Sequence, residues 1–126
     1  MFKSLPWFSR SRRFVAAAIV GVAGVAALGS AAHAADVFKA AVTIQNHRFS
    51  EAEIRVPVGQ AIELSVTNKD TTPEEFEASA LKIEKVVAAG TTIVLRFGPL
   101  KAGTYNFVGD FHEATAKGKI IAEPAK

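Results

Sequence analysis

From Val37 onward, apolar side chains recur at alternate positions in short runs, and each run stops at glycine, proline or a polar turn. A period of two belongs to a strand with one buried face; a helix repeats its faces every 3.6 residues. Ala61–Thr67 is the clearest case, with Ile62, Leu64 and Val66 on one face and Glu63 and Ser65 on the other. Thr91–Phe97 places Ile93, Leu95 and Phe97 in phase. Val37–Gln45, Glu53–Val58, Glu74–Ala78, Ile83–Val87, Thr104–Val108 and Lys119–Glu123 read the same way. Turn chemistry separates them: the polar run 68–73 (NKDTTP), Gly59, Gly90 and Pro99–Gly103. Pro57 lacks an N–H and so marks an edge strand or a strand end. No segment carries an amphipathic helical pattern. Seven or eight short strands at this spacing predict an all-β fold, a Greek-key β-sandwich.

The first residues are of another kind. Lys3, Arg10, Arg12 and Arg13 form a basic stretch, Phe14–Leu28 is an unbroken run of apolar and small residues, and Ala32-His33-Ala34 is a small-x-small cleavage signal. This order predicts a secretory signal peptide over 1–34 and a mature domain over 35–126. A membrane span needs about 20 apolar residues, so no membrane insertion is expected after cleavage, and the expected location is the periplasm. The pair Arg12-Arg13 hints at twin-arginine export, although Phe14 follows the pair one place early and an ordinary basic leader explains it as well. Cleavage removes four basic and no acidic residues, taking the net charge from +3 to −1. The basic balance therefore belongs to the leader, and nucleic acid is not an expected partner.

The chain has no cysteine. The domain must fold without disulfides, and thiolate metal sites and thiol nucleophiles are excluded. Histidine and carboxylates are left as candidate ligands, and they concentrate in Glu74-Glu75-Phe76-Glu77 and in Asp110-Phe111-His112-Glu113. With Phe76 facing the core, strand alternation turns Glu74 inward and Glu75 and Glu77 outward. An inward carboxylate needs a positive or hydrogen-bonding receiver, for which a metal ion, Lys85 or backbone N–H groups qualify. Asp110 and His112, two apart, fall on one side of an extended loop. Carboxylate with imidazole suits Cu(II), iron or zinc better than calcium or magnesium. Each residue also has a plainer reading: a solvated acidic strand for Glu75 and Glu77, a loop histidine bonded to a carbonyl for His112, and a turn residue for His47. No Ser-His-Asp arrangement and no glycine-rich phosphate loop is present.

Gly103-Thr104-Tyr105-Asn106-Phe107 with the loop that follows, and the segment Asn68–Glu77, resemble the copper-bearing segments of cupredoxins. The resemblance covers most of residues 37–123. It sets His112 at the family's loop histidine, Gly109 at its cysteine, Lys117 near its methionine and Glu74 near its first histidine. Three of the four blue-copper ligand positions thus carry other residues. The runs PEEFEASALKIEKVVAAG and GPLKAGTYNFVGDFHEATAKG are similar to the cysteine-free periplasmic cupredoxins of bacterial iron-uptake systems. That resemblance implies binding of a copper and/or iron ion, ferroxidase-like oxidation of Fe(II), and an iron permease or another periplasmic iron-uptake protein as partner. It implies a site at Glu74, Asp110 and His112, with Glu75, Glu77 and Glu113 as secondary candidates. Two other roles are open on the residues alone: copper delivery or tolerance, and a non-catalytic module without metal. The single methionine, Met1, speaks against a thioether carrier of Cu(I).

Overall fold

In the computed structural model, which describes residues 36–126, the alternating runs become strands. They are β1 (Phe38–Gln45), β2 (Arg48–Phe49), β3 (Glu53–Pro57), β4 (Ile62–Asn68), β5 (Glu74–Ala78), β6 (Ile83–Val87), β7 (Thr92–Phe97), β8 (Gly103–Gly109) and β9 (Lys117–Glu123). The expected leader lies outside the described residues. Among the described residues, no helix is long and apolar enough to cross a membrane.

The strands form two sheets, in the orders β2-β1-β4-β7 and β3-β9-β8-β5-β6. The chain crosses repeatedly between them: β3, β5 with β6, and β8 with β9 leave the first sheet for the second. Two pairings are parallel, β1 with β4 and β3 with β9. This is the expected β-sandwich, with one strand more than sequence periodicity reveals. The extra strand, β2, has only two residues, too few to show a period. It pairs with β1 across Asn46 and His47, both at positive φ (53° and 56°), the backbone that a two-residue hairpin turn demands. Pro57 ends β3, an edge strand, as its missing N–H requires.

Alternation makes the core. The inward residues Ile62, Leu64 and Val66 of the first sheet face Ile54, Val56, Phe76, Phe107 and Ile120 of the second, all buried. Phe49, Phe76 and Phe107 form an aromatic cluster, edge-to-face at 4.8 and 5.9 Å between Phe49 and the other two, and stacked at 5.0 Å between Phe76 and Phe107. Gly118, opposite Phe107 on β9, makes room for that ring: a Cβ at 118 would lie 2.3 Å from Phe107 Cζ. The loop after β4 is pinned from inside by buried Asn68, whose Nδ2 donates to the carbonyls of Thr72 (2.8 Å) and Val87 (3.0 Å) and whose Oδ1 accepts from Asp70 N (3.0 Å).

Because Phe107 is fully packed, it cannot yield to an added methyl without strain. Gly118→Ala should destabilise the domain by about 1–3 kcal/mol, lowering the melting temperature by roughly 4–8 °C per kcal/mol. An unchanged thermal melt would show that the aromatic cluster has slack.

Candidate metal centre

Glu74 opens β5, and its inward position in the alternation buries it to 1% exposure. A carboxylate in that place is costly unless every oxygen is received. Oε1 accepts from the backbone N–H of Phe111 (2.9 Å) and of Glu75 (3.1 Å), and Oε2 faces His112 Nδ1 at 2.5 Å. An ionised carboxylate only accepts, so Nδ1 carries the proton in this bond and Nε2 is the free ring nitrogen. Two of the receivers foreseen from the sequence thereby resolve: backbone N–H groups serve, whereas Lys85 lies exposed on β6.

Gly109, the last residue of β8, has an ordinary backbone (φ −90°). It is glycine for lack of space: a Cβ there would come within 2.7 Å of both Glu74 Cδ and Ala116 Cβ. The Glu74 carboxylate occupies the volume that a side chain at 109 would enter.

Residues 110–112 form a 3-10 turn rather than the extended loop expected from their spacing. Such a turn advances about 120° per residue, so side chains two apart diverge. His112 goes inward to Glu74. Asp110 goes outward to Glu75 and Glu77, and ligand oxygens of these three carboxylates lie within 4.8 Å of one another. Glu84 on β6 pairs across from Glu77, and Glu113, exposed, lines the cleft that also contains Glu77 and Asp110. The Glu75 carboxyl is pushed up by partial desolvation and by Glu84, Asp110 and Glu77. Asp110 is pushed up by desolvation and by Glu77, Glu113 and Glu84. The outer cluster thus concentrates negative charge, and among the described residues no ion pair relieves it.

The six expected residues therefore divide across β5. Glu74 and His112 meet on the inner side; Glu75, Glu77 and Asp110 meet on the outer side, with Glu113 at their rim. Asp110 and His112, expected to act together, are not brought together.

One residue escaped the sequence reading. His47 does sit in a turn, but its ring lies flat on His112, centroids 3.5 Å apart and planes 10° apart. Its N–H and that of Asn46 donate to Asp70 (2.9 and 2.7 Å), and its carbonyl accepts from Thr115 Oγ1 (2.6 Å). The His47 N–H, more than any other group, holds the Asp70 carboxyl below its usual range; the Asn46 N–H and the two imidazoles add to this against partial desolvation. The stacking joins residues 65 positions apart, and no local pattern announces it.

Residues 16–122 match the family model of the cupredoxin-like domain. The chain is 40% identical over 86 residues to an uncharacterized protein of Rickettsia prowazekii (strain Madrid E), spanning 68% of this chain and 69% of that protein. Its fold is similar to that of the metal-binding domain of the Streptococcus pneumoniae D39 Cu(I)-exporting P-type ATPase CopA with Cu(I) (TM-score 0.61, 15% identity, 72% of this chain and 99% of that one). It is similar also to auracyanin A, a "blue" copper protein from Chloroflexus aurantiacus (TM-score 0.59, 14% identity, 70% and 100% covered). With its two-sheet sandwich and a family match over most of its length, the chain belongs to the cupredoxin-like domain family.

Proposed function

We propose that this protein is a periplasmic metal-binding cupredoxin that assists iron uptake, binding copper and/or iron and acting with an iron permease. The observation that carries the reading is the buried Glu74–His112 pair at the end of the sandwich, backed across β5 by the carboxylates of Glu75, Glu77 and Asp110.

A blue-copper centre does not fit. The chain has no cysteine, and the place a side chain at 109 would take is filled by the Glu74 carboxylate. A carboxylate–imidazole centre does fit. Glu74 is anchored through Oε1 by two N–H groups and through Oε2 receives the His112 Nδ1 proton, which orients the imidazole and leaves His112 Nε2 as the nitrogen donor beside the carboxylate. These donors suit Cu(II) and iron, and the all-oxygen outer cluster suits the harder iron ions. A redox-active ion held here would supply one-electron chemistry, a bound Cu(II) being able to take the single electron that Fe(II) gives up on oxidation. Copper delivery as Cu(I) is the weaker reading, because soft sulfur donors are missing from this end of the fold.

The uptake role is tested by growth of a deletion strain on Fe(II) and on Fe(III), with and without copper. The expected result is a growth defect under iron limitation, cured by added iron; a defect that tracks copper alone would assign the protein to copper handling.

Cu(II) added to the purified domain should give a pale complex, since no thiolate is present for intense charge transfer. Glu74→Gln and His112→Ala should each weaken Cu(II) binding tenfold or more in calorimetric titrations, about 1.4 kcal/mol. Because a cation at His112 Nε2 needs a neutral imidazole, affinity should fall as pH is lowered through the ordinary histidine range, about 6.5. An intense blue band, or wild-type affinity in both variants, would remove the centre from this pair.

The outer cluster makes a separate claim. A carboxyl whose pKa is raised by folding favours the fold at low pH, and this contribution is lost as pH rises through the raised value. Glu75 and Asp110 are of this kind, so the metal-free domain carries their repulsion at neutral pH. Glu77→Gln should raise the melting temperature at pH 7, and the gain should fade near the ordinary carboxyl range, about pH 4. Anaerobic Fe(II) should stabilise wild type at pH 7 and stabilise Glu77→Gln clearly less. Equal Fe(II) shifts in the two proteins would place iron elsewhere.

A further inference from the structure

A two-residue hairpin turn needs positive φ at both positions, and asparagine and glycine supply it most cheaply. Here the second position is His47, at φ 56°, and it is held far more firmly than a turn requires. Asp70 accepts its N–H and that of Asn46. Asp70 is in turn fixed by buried Asn68, whose Oδ1 accepts the Asp70 N–H. Thr115, three residues beyond His112, donates its hydroxyl to the His47 carbonyl at 2.6 Å. Thr72 Oγ1 stands 3.4 Å from His47 Nε2, at the outer edge of the ring. These restraints come from three segments: the loop before Glu74, the loop after His112, and the turn itself. Their common effect is to hold one imidazole flat on another.

The partner ring has reason to need it. His112 leaves a 3-10 turn, and its side chain is 27% exposed. Rotation of an imidazole by 180° about its Cβ–Cγ bond exchanges Nδ1 for Cδ2. In that orientation Glu74 Oε2 would face a carbon and lose its proton donor. A ring lying on one face at 3.5 Å blocks the rotation. Stacking is also a poor geometry for shared ligation. Parallel rings carry their nitrogen lone pairs in parallel planes, and one ion cannot lie in both.

We infer that His47 is the positioning residue of the centre: it fixes the plane and the tautomer in which His112 presents Nδ1 to Glu74. Its consequence for metal binding rests on the function proposed above; its effect on His112 does not.

The test uses three proteins: wild type, His47→Asn and His47→Phe. Asparagine tolerates positive φ and keeps the turn without the ring. Phenylalanine keeps a flat face without nitrogens. Side-chain nitrogen NMR of the metal-free proteins, well above the ordinary histidine pKa of about 6.5, reads the His112 tautomer. Cu(II) titration with electron paramagnetic resonance reads the centre. Wild type and His47→Phe should show one His112 tautomer with the proton on Nδ1, and should bind Cu(II) within about threefold of each other. His47→Asn should show mixed tautomers and bind about tenfold more weakly. A single tautomer in His47→Asn overturns the inference, and that arm stands even if His47→Phe fails to fold. Loss of Cu(II) in a folded His47→Phe with its tautomer intact also overturns it, by making His47 a ligand. If wild type takes no Cu(II), the proposed function fails, while the tautomers still decide the role of His47.

Discussion

A carboxylate sealed under the end of a β-sandwich sets the terms for everything around it. Glu74 is buried because strand alternation gives it no choice: Phe76 and Ala78 point to the core, and position 74 shares their side. An unreceived charge there would cost several kcal/mol. The surrounding chain is arranged so that none is left over. The turn at 110–112 brings a backbone N–H and an imidazole to the two oxygens. Gly109 gives up a side chain so that the carboxylate has somewhere to be. A side chain at 109 and the inward carboxylate of Glu74 cannot share the space.

The same alternation that buries Glu74 exposes its neighbours. Successive residues of a strand point to opposite faces, so the acidic run of β5 is split into one interior and two exterior carboxylates. Inside, the charge is compensated by hydrogen bonds. Outside, Glu75 and Glu77 meet Asp110 and Glu84, with only the Ser79 hydroxyl donating to Glu77, and partial desolvation together with their mutual repulsion raises the Glu75 and Asp110 carboxyls. One strand therefore carries two chemically different polar environments a single residue apart, a nitrogen–oxygen pair under cover and an all-oxygen cluster in the open.

Sequence reading succeeded where one short-range rule governs. Every run with a clear period of two became a strand, and the inward placement of Glu74 with the outward placement of Glu75 and Glu77 followed from Phe76 alone. It stopped where position depends on the closing of the fold. β2 is too short to carry a period. The turn at Asp110–His112 depends on Glu74 and on the backbone bonds from Thr115 and Ala116 back to His112, so an extended loop was the wrong geometry and Asp110 and His112 part company. His47 was correctly placed in a turn, yet its importance comes from a ring that only the folded chain sets upon it. The cupredoxin resemblance located His112 and Glu74 but said nothing of how they would face each other.

The hydrogen bond between His112 and Glu74 also bears on how the protein stands without metal. In zinc fingers the ligands have no other partner and the apo chain unfolds, so metal binding is folding. Here the proton on Nδ1 completes one oxygen of Glu74, the two N–H groups complete the other, and no buried side-chain polar atom among the described residues lacks a partner. The aromatic cluster and the aliphatic inner faces of both sheets form a continuous core that involves no ligand. A cation at His112 Nε2 would leave the His112–Glu74 hydrogen bond in place. Folding of the domain is thereby physically separate from the loading of any ion.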